Sequence, residues 1–355
     1  MKILGIETSC DETAASIIEC KNNKIEILSN IISSQINIHK KYHGVVPEIA
    51  ARQHVKNILP VIDKAFKKAN LEQEKRKKID LIAVTQGPGL VTSLIPGIET
   101  AKVLAYTWNI PVLGINHIEG HIYANFIKEK TSVKFPALIL TVSGGHTMLV
   151  LMSDHGKYEV IGDTRDDSAG EAFDKAAKFM NLDYPGGPVI SKYAKNYLAK
   201  QDRQKIVPNN LIKKQDYFLP RPMINSSDFD FSFSGLKTAL LYKIKADSSW
   251  EKDIEKYCFE FQQAIIEVLI YKTIKAAKKY SIKSILLSGG VSANKELRKQ
   301  LKSMIKKELS DIAFHVPDLK YTTDNAVMIA VAGYYVSKKK KSKWQDLKVD
   351  CNLEL

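Results

Sequence analysis

The sequence predicts an α/β protein built from two related domains that face each other across a central cleft. Three observations carry that expectation. Three strands, a helix, a strand, a helix, a strand and a helix can be read in each half of the chain. In each copy the strands precede the helices, a pattern that layers helices on a sheet. The length, 355 residues, suits two domains of about 100–200 residues each. We place the first domain at 1–130, the second at 131–340 with an insertion at about 185–250, and a basic tail at 341–355.

In the first half, Lys2–Ile6, Ala14–Glu19 and Ile25–Ser33 are short runs rich in β-branched residues, and Lys21-Asn22-Asn23-Lys24 supplies a hairpin turn. From Pro47 to Asn70 the apolar residues Ile49, Val55, Ile58, Leu59, Ile62 and Phe66 recur at helical spacing, and Pro47 suits a first helical turn, where its missing N–H costs nothing. Ile79–Thr85 reads as a buried strand, Thr92–Trp108 as a helix, Pro111–Ile115 as a strand and Ile118–Phe126 as a helix. After Pro136 the order recurs. Ala137–Val142, Thr147–Met152 and Tyr158–Asp163 form a second meander, and Ala169–Met180 a helix. Past an irregular insertion come the amphipathic helix Ile254–Lys279, the strand Ser284–Leu287, the helix Ala293–Lys307, the strand Ile312–Val316 and the helix Asn325–Val336.

Charge and composition narrow the function classes. Lys plus Arg number 53 against 39 Asp plus Glu, a formal net charge of +14, and such an excess favours a polyanionic partner. With 45% hydrophobic and 26% charged residues, wholesale disorder and fibrous architectures are excluded. Cys10, Cys20, Cys258 and Cys351 contain no CxxC pair and no cluster, which argues against a zinc knuckle or disulfide framework and for a reducing compartment. The first apolar run stops at Glu7, too early for a signal peptide, and Phe135–Met152 is broken by Ser143-Gly144-Gly145-His146. We therefore expect a cytoplasmic protein with no membrane partner.

Four turns follow strands directly: Glu7–Thr13, Gln86–Gly89, Ser143–Thr147 and Ser288–Asn294. Open α/β sheets place ligands at the carboxyl ends of their strands, where paired glycines let backbone N–H groups approach a phosphate. None matches GxGxxG or GxxxxGK[ST], so hydride transfer and P-loop hydrolysis lose ground. His117-Ile118-Glu119-Gly120-His121 puts two imidazoles one helical turn apart, able to share a divalent metal. His39 and His43 have the same spacing, but no helix pattern surrounds them. The metalloprotease motif HExxH is not met, because Ile118 stands where its Glu would and Glu119 lies roughly 200° round the helix from His117. A third ligand must come from elsewhere. Thr323-Asp324-Asn325, opening the last helix, offers a carboxylate whose other reading is a helix N-cap.

Taken in order, Glu7-Thr8-Ser9-Cys10-Asp11-Glu12-Thr13, Gly44-Val45-Val46-Pro47-Glu48, Gln86-Gly87-Pro88-Gly89, Asn116-His117-Ile118-Glu119-Gly120-His121, Val142-Ser143-Gly144-Gly145-His146-Thr147, Gly170-Glu171-Ala172-Phe173-Asp174-Lys175, Asp230–Thr238, Gly289-Gly290-Val291-Ser292-Ala293-Asn294 and Thr323-Asp324-Asn325-Ala326 resemble the TsaD family of tRNA threonylcarbamoyladenosine transferases. The matches span roughly residues 1 to 340. The resemblance implies two ribonuclease-H-like lobes in the actin and sugar-kinase-like ATPase superfold. It implies transfer of threonylcarbamoyl from threonylcarbamoyl-AMP to the N6 amine of the adenosine adjacent to the anticodon, in tRNAs reading codons that begin with A. It also implies a metal held by His117, His121 and Asp324, iron in the family, although an N/N/O set suits zinc equally.

By the same resemblance Thr141, Val142, Ser143, Gly144 and Gly145 form the substrate loop, and Asp174, Gly187 and Asn294 make further nucleotide contacts. The catalytic base stays unassigned, with Asp11 a candidate proton acceptor that can also be read as a turn cap. Ser191 departs from the family, many of whose members carry Asp there. The partners implied are tRNA, a paralogous dimer partner and a small ATPase, the adenylate being made by a separate synthase. Seven basic residues between Lys192 and Lys214, and Lys338–Lys341 with Lys343, offer contacts to tRNA phosphates. Two other classes remain open on the residues alone: a sugar or carboxylate kinase of this superfold, and a non-enzymatic nucleotide switch.

Overall fold

The expected duplication takes the form of two five-stranded sheets in the computed structural model, which describes residues 1–22, 24–71, 78–127, 133–203, 218–339 and 342–355. The first sheet joins the antiparallel strands β1 (Lys2–Glu7), β2 (Glu12–Lys21) and β3 (Lys24–Ser34) to β4 (Leu81–Gly87) and β5 (Val112–Asn116), which continue parallel to β1, in the order β3-β2-β1-β4-β5. The second contains β6 (Ala137–Val142), β7 (Thr147–Asp154), β8 (Lys157–Asp163), β9 (Ser284–Ser288) and β10 (Ala313–His315), ordered β10-β9-β6-β7-β8. Read from the other edge, this is the first sheet strand for strand. Central strands such as Ala137–Val142 are buried along their whole length and correspondingly apolar, whereas the edge strands β3 and β8 expose alternate side chains.

The first half adds a short helix α1 (Ile36–His39), then α2 (Pro47–Lys68), α3 (Val91–Trp108) and α4 (His117–Tyr123). In the second half come α5 (Ala169–Phe179), α6 (Gly186–Arg203), α7 (Ser234–Ala246), α8 (Ile254–Lys279), α9 (Lys295–Glu308) and α10 (Ala326–Ser337). The stretch expected to be irregular thus contains two helices. Their own apolar patterns are short: α6 buries Ile190 and Ala194 and is held by packing along α8, which the local sequence does not announce. Asn23 of the expected hairpin turn, residues 204–214 of the expected basic stretch, and Lys340 and Lys341 lie outside the described residues.

What positions the site is an exchange of the last helices. Helix α10 belongs to the second half yet lies against β1, β2 and β4 of the first sheet, while α4 packs on both α10 and the second sheet through β6 and β9. Buried on all sides from Ala326 to Gly333, α10 accordingly carries no polar face. The two helices cross at Gly120, where a Cβ would stand 2.7 Å from Ile329 Cδ1. The described part of the tail does not project as a basic arm. It runs along the first lobe, with Leu347 buried, Asp350 N–H donating to the Gln86 carbonyl and Asn116 Nδ2 donating to the carbonyls of Leu353 and Glu354 at 3.1 and 3.0 Å.

Candidate metal centre and substrate cleft

Helix α4 starts where Asn116 caps it, its Oδ1 accepting from the N–H groups of Ile118 (2.8 Å) and Glu119 (3.3 Å). His117 therefore occupies the first helical position and His121 the same face one turn on, their ring centroids 4.7 Å apart at 82°. Asp324 arrives from the start of α10. Asn325, not Asp324, caps that helix by accepting from Met328 N–H at 3.0 Å, which leaves the Asp324 carboxylate for the histidines. Its Oδ1 lies 3.2 Å from His121 Nε2 and 3.6 Å from His117 Nε2.

Among the described residues, the ligand atoms of His117, His121 and Asp324 gather within 4.8 Å of one another. Nδ1 of buried His121 lacks a hydrogen-bond partner there, and its Nε2 meets only the Asp324 carboxylate, a costly arrangement for a polar group unless something else satisfies it. A divalent cation fits that demand, and the N/N/O set suits iron or zinc. Burial opposes the charge on Asp324, but His117 and His121 outweigh it and hold the carboxyl at about 2. Burial likewise disfavours charged His117, and Asp324 and Glu7 overcome it, raising the imidazole to about 9.

Two residues that the sequence reading left without a role join this centre. Glu7, at the end of β1, accepts from His117 Nδ1 at 3.1 Å. His146 is kept neutral, its pKa lowered to about 4 by burial and by the neighbouring His117 and His121. Glu7 carried one available signal, a carboxylate ending an otherwise apolar buried strand.

The turn after β1 supplies the acidic wall. Burial, with the charges of Asp11 and Asp324, pushes Glu12 up to about 10, so it keeps its proton at neutral pH and hydrogen-bonds Asp11. The Cys10 carbonyl accepts from His54 Nε2 at 2.9 Å and from Ser93 Oγ at 3.0 Å, fixing the turn to α2 and α3. From the other lobe, Asp174 is raised to about 6 by burial, against the Gly186 N–H bond and with help from Asp11. An ion pair of 2.9 Å from Lys40 to Asp183 links the two lobes.

The expected substrate residues separate by kind. Thr141 and Val142 are buried, Thr141 Oγ1 lying 2.9 Å from Ser288 Oγ, so their side chains serve the core. Ser143 closes its turn by donating N–H to the His146 carbonyl and accepting the His146 N–H at Oγ (3.1 Å). Gly144 and Gly145 are exposed, with open space where a Cβ would project, so this turn offers backbone. Asp174 Oδ1 accepts from Gly186 N–H at 2.7 Å, beside Gly187, where a Cβ would also meet open space. Asn294 is committed internally: its Oδ1 caps α9 through Glu296 and Leu297, and its Nδ2 donates to Ser191 Oγ and Gln262 Oε1.

A family model described as TsaD, tRNA N6-adenosine threonylcarbamoyltransferase, matches residues 26–331. The chain belongs to the TsaD family. It is 50% identical over 335 residues to the tRNA N6-adenosine threonylcarbamoyltransferase of Dehalococcoides mccartyi strain BAV1, covering 94% of this chain and 93% of that one. To the Bacillus subtilis strain 168 protein of the same name it is 48% identical, covering 94% and 90%. The crystal structure of T. kodakarensis HypF superposes with a TM-score of 0.58 at 13% identity, over 95% of this chain and 47% of HypF. That likeness concerns the fold alone. This TsaD-family chain has the actin and sugar-kinase-like ATPase fold, with no described helix long and apolar enough to cross a membrane.

Proposed function

We propose that this chain is a cytoplasmic tRNA N6-adenosine threonylcarbamoyltransferase that takes its acyl group from threonylcarbamoyl-AMP. The observation that carries the reading is the meeting of His117, His121 and Asp324 from the two exchanged helices, in a chain half identical to named transferases. The N6 amine attacks the carbamoyl carbon, an N–C bond forms, the C–O bond to the phosphate breaks, AMP leaves and the amine gives up a proton. An aromatic amine is a weak nucleophile, and a metal held by these three residues would polarise the acyl donor.

The chain's own groups supply the rest. Backbone N–H groups of Gly144 and Gly145 cradle the adenylate, and Asp174 with Gly187 receives its hydroxyls. Glu12 retains its proton and holds Asp11, the candidate acceptor for the amine proton. Asn294, bonded to Ser191 and Gln262, sets the far wall of the nucleotide site. Val55 and Leu59 on α2 and Val103 on α3 expose apolar side chains on the first lobe, and there we place the paralogous partner, with the small ATPase joining the assembled pair. The deciding experiment substitutes both His117 and His121 by Ala and measures the modified nucleoside by mass spectrometry of digested tRNA. Loss of the modification is expected; unchanged levels would reject the assignment, and a phosphorylated sugar made from ATP would favour a kinase instead.

A further inference from the structure

We propose that Glu7 is the positioning residue of the metal centre, holding His117 in the one tautomer and ring orientation that can ligate a metal through Nε2. The inference rests on the metal-binding reading of His117, His121 and Asp324. Glu7 is fully buried at the end of β1, and its carboxylate is met by three donors: the Ser9 N–H on Oε1, Thr85 Oγ1 on Oε2 at 2.6 Å, and His117 Nδ1 on Oε2 at 3.1 Å. With its position fixed by the first two, the carboxylate cannot swing away from the imidazole.

The chemistry sets the direction of the third bond. An ionised carboxylate only accepts, so Nδ1 keeps its proton, and Nε2, turned toward Asp324 at 3.6 Å, is the nitrogen that yields its proton to a metal. Ser9 Oγ, 3.1 Å from the same Nδ1, reinforces the arrangement by accepting as well. Metal-ligating histidines characteristically give their second N–H to such a carboxylate, which fixes the ring and raises its basicity. The two histidines are unequal in this respect: His121 Nδ1 has no hydrogen-bond partner among the described residues. The metal-binding geometry of α4 is thereby tied to strands β1 and β4 of the first sheet through one carboxylate.

The test uses the purified full chain, Zn²⁺ affinity measured by chelator competition, and the visible spectrum of the Co²⁺ form. Glu7→Gln should weaken Zn²⁺ roughly 10- to 100-fold and shift the Co²⁺ ligand-field bands. Thr85→Val, which removes only the donor fixing Oε2, should weaken it in the same direction by less. Affinities within about twofold of the parent in both variants, with an unchanged Co²⁺ spectrum, would overturn the proposal. Should Glu7→Gln not fold, the Thr85→Val affinity and spectrum decide alone. His117→Ala and His121→Ala are the controls: metal binding unaltered in them rejects the metal centre itself, whereas loss in them alongside an intact Glu7→Gln rejects only the role of Glu7.

Discussion

At the scale of single residues, the centre is built from groups that are poor choices for stability. His121 buries Nδ1 without a partner, and an unsatisfied buried polar group costs about 1–3 kcal/mol. His121→Leu should abolish metal retention and tRNA modification while leaving the stability of the metal-free protein within about 1 kcal/mol of the parent, because relief of the orphaned Nδ1 is offset by loss of the Asp324 contact. Thermal denaturation beside metal analysis reads both, and a destabilised, metal-retaining variant would contradict the account. Asp174 makes a pH-dependent prediction. Its folded-state pKa is raised from 3.8 to about 6, so its contribution is fullest below the unfolded value and is lost as pH climbs through about 6. Asp174→Asn escapes that loss. Relative to the parent it should gain on the order of 2 kcal/mol between about pH 4 and pH 6 and nothing more above. Urea unfolding across that range gives the difference, and a pH-independent one would exclude burial as the cause. The histidine pair is visible in the sequence at helical spacing, and Asp324 only as a carboxylate opening the last helix. Glu7 carries only the signal of a carboxylate ending an apolar strand, and the partners that give it a role, Thr85 and His117, are distant in the chain.

At the scale of elements, the crossing of α4 and α10 decides whether three ligands converge. Gly120→Ala should be close to neutral, since the gain of about 1 kcal/mol in helix propensity offsets a contact with Ile329 Cδ1, the far end of a side chain. Gly120→Val cannot be absorbed so cheaply. Its two added methyls project beyond a Cβ that already stands 3.3 Å from Met328 Cγ and 2.7 Å from Ile329 Cδ1, and overpacking of this kind costs about 1–3 kcal/mol. We expect Gly120→Val to separate the histidines from Asp324 and lower metal content, while Gly120→Ala retains it; equal metal content in the two would refute a crossing-controlled site. Strands with continuous apolar runs and the long helices α2, α3 and α8 were legible, since their periodicity is local. Helices α6 and α7 were not, because α6 draws its burial from α8, some 50 or more positions away in the chain.

At the scale of the whole molecule, two copies of one sheet topology place the four strand-end turns where ligands bind, and the ion pair of Lys40 with Asp183 links the lobes. That pair is largely exposed and adds little stability. The net charge of +14 should appear in tRNA binding as a steep fall in affinity with salt, its slope reporting the number of phosphates neutralised. A titration by filter binding or fluorescence anisotropy measures it, and a flat profile would remove electrostatics as the basis of RNA recognition. The sequence by itself determined the class of fold, its duplication, the residue types of the candidate metal centre and the family, because hydrophobic period and ordered motifs are written locally. Only the tertiary structure decided that Asn325 caps α10 and frees Asp324, that Glu7 and His146 join the histidines, that Asn294 is bound internally, and that the described tail lies along the first lobe. Each of these depends on which distant donor meets which acceptor once two helices have exchanged sheets, and chain order does not encode that pairing.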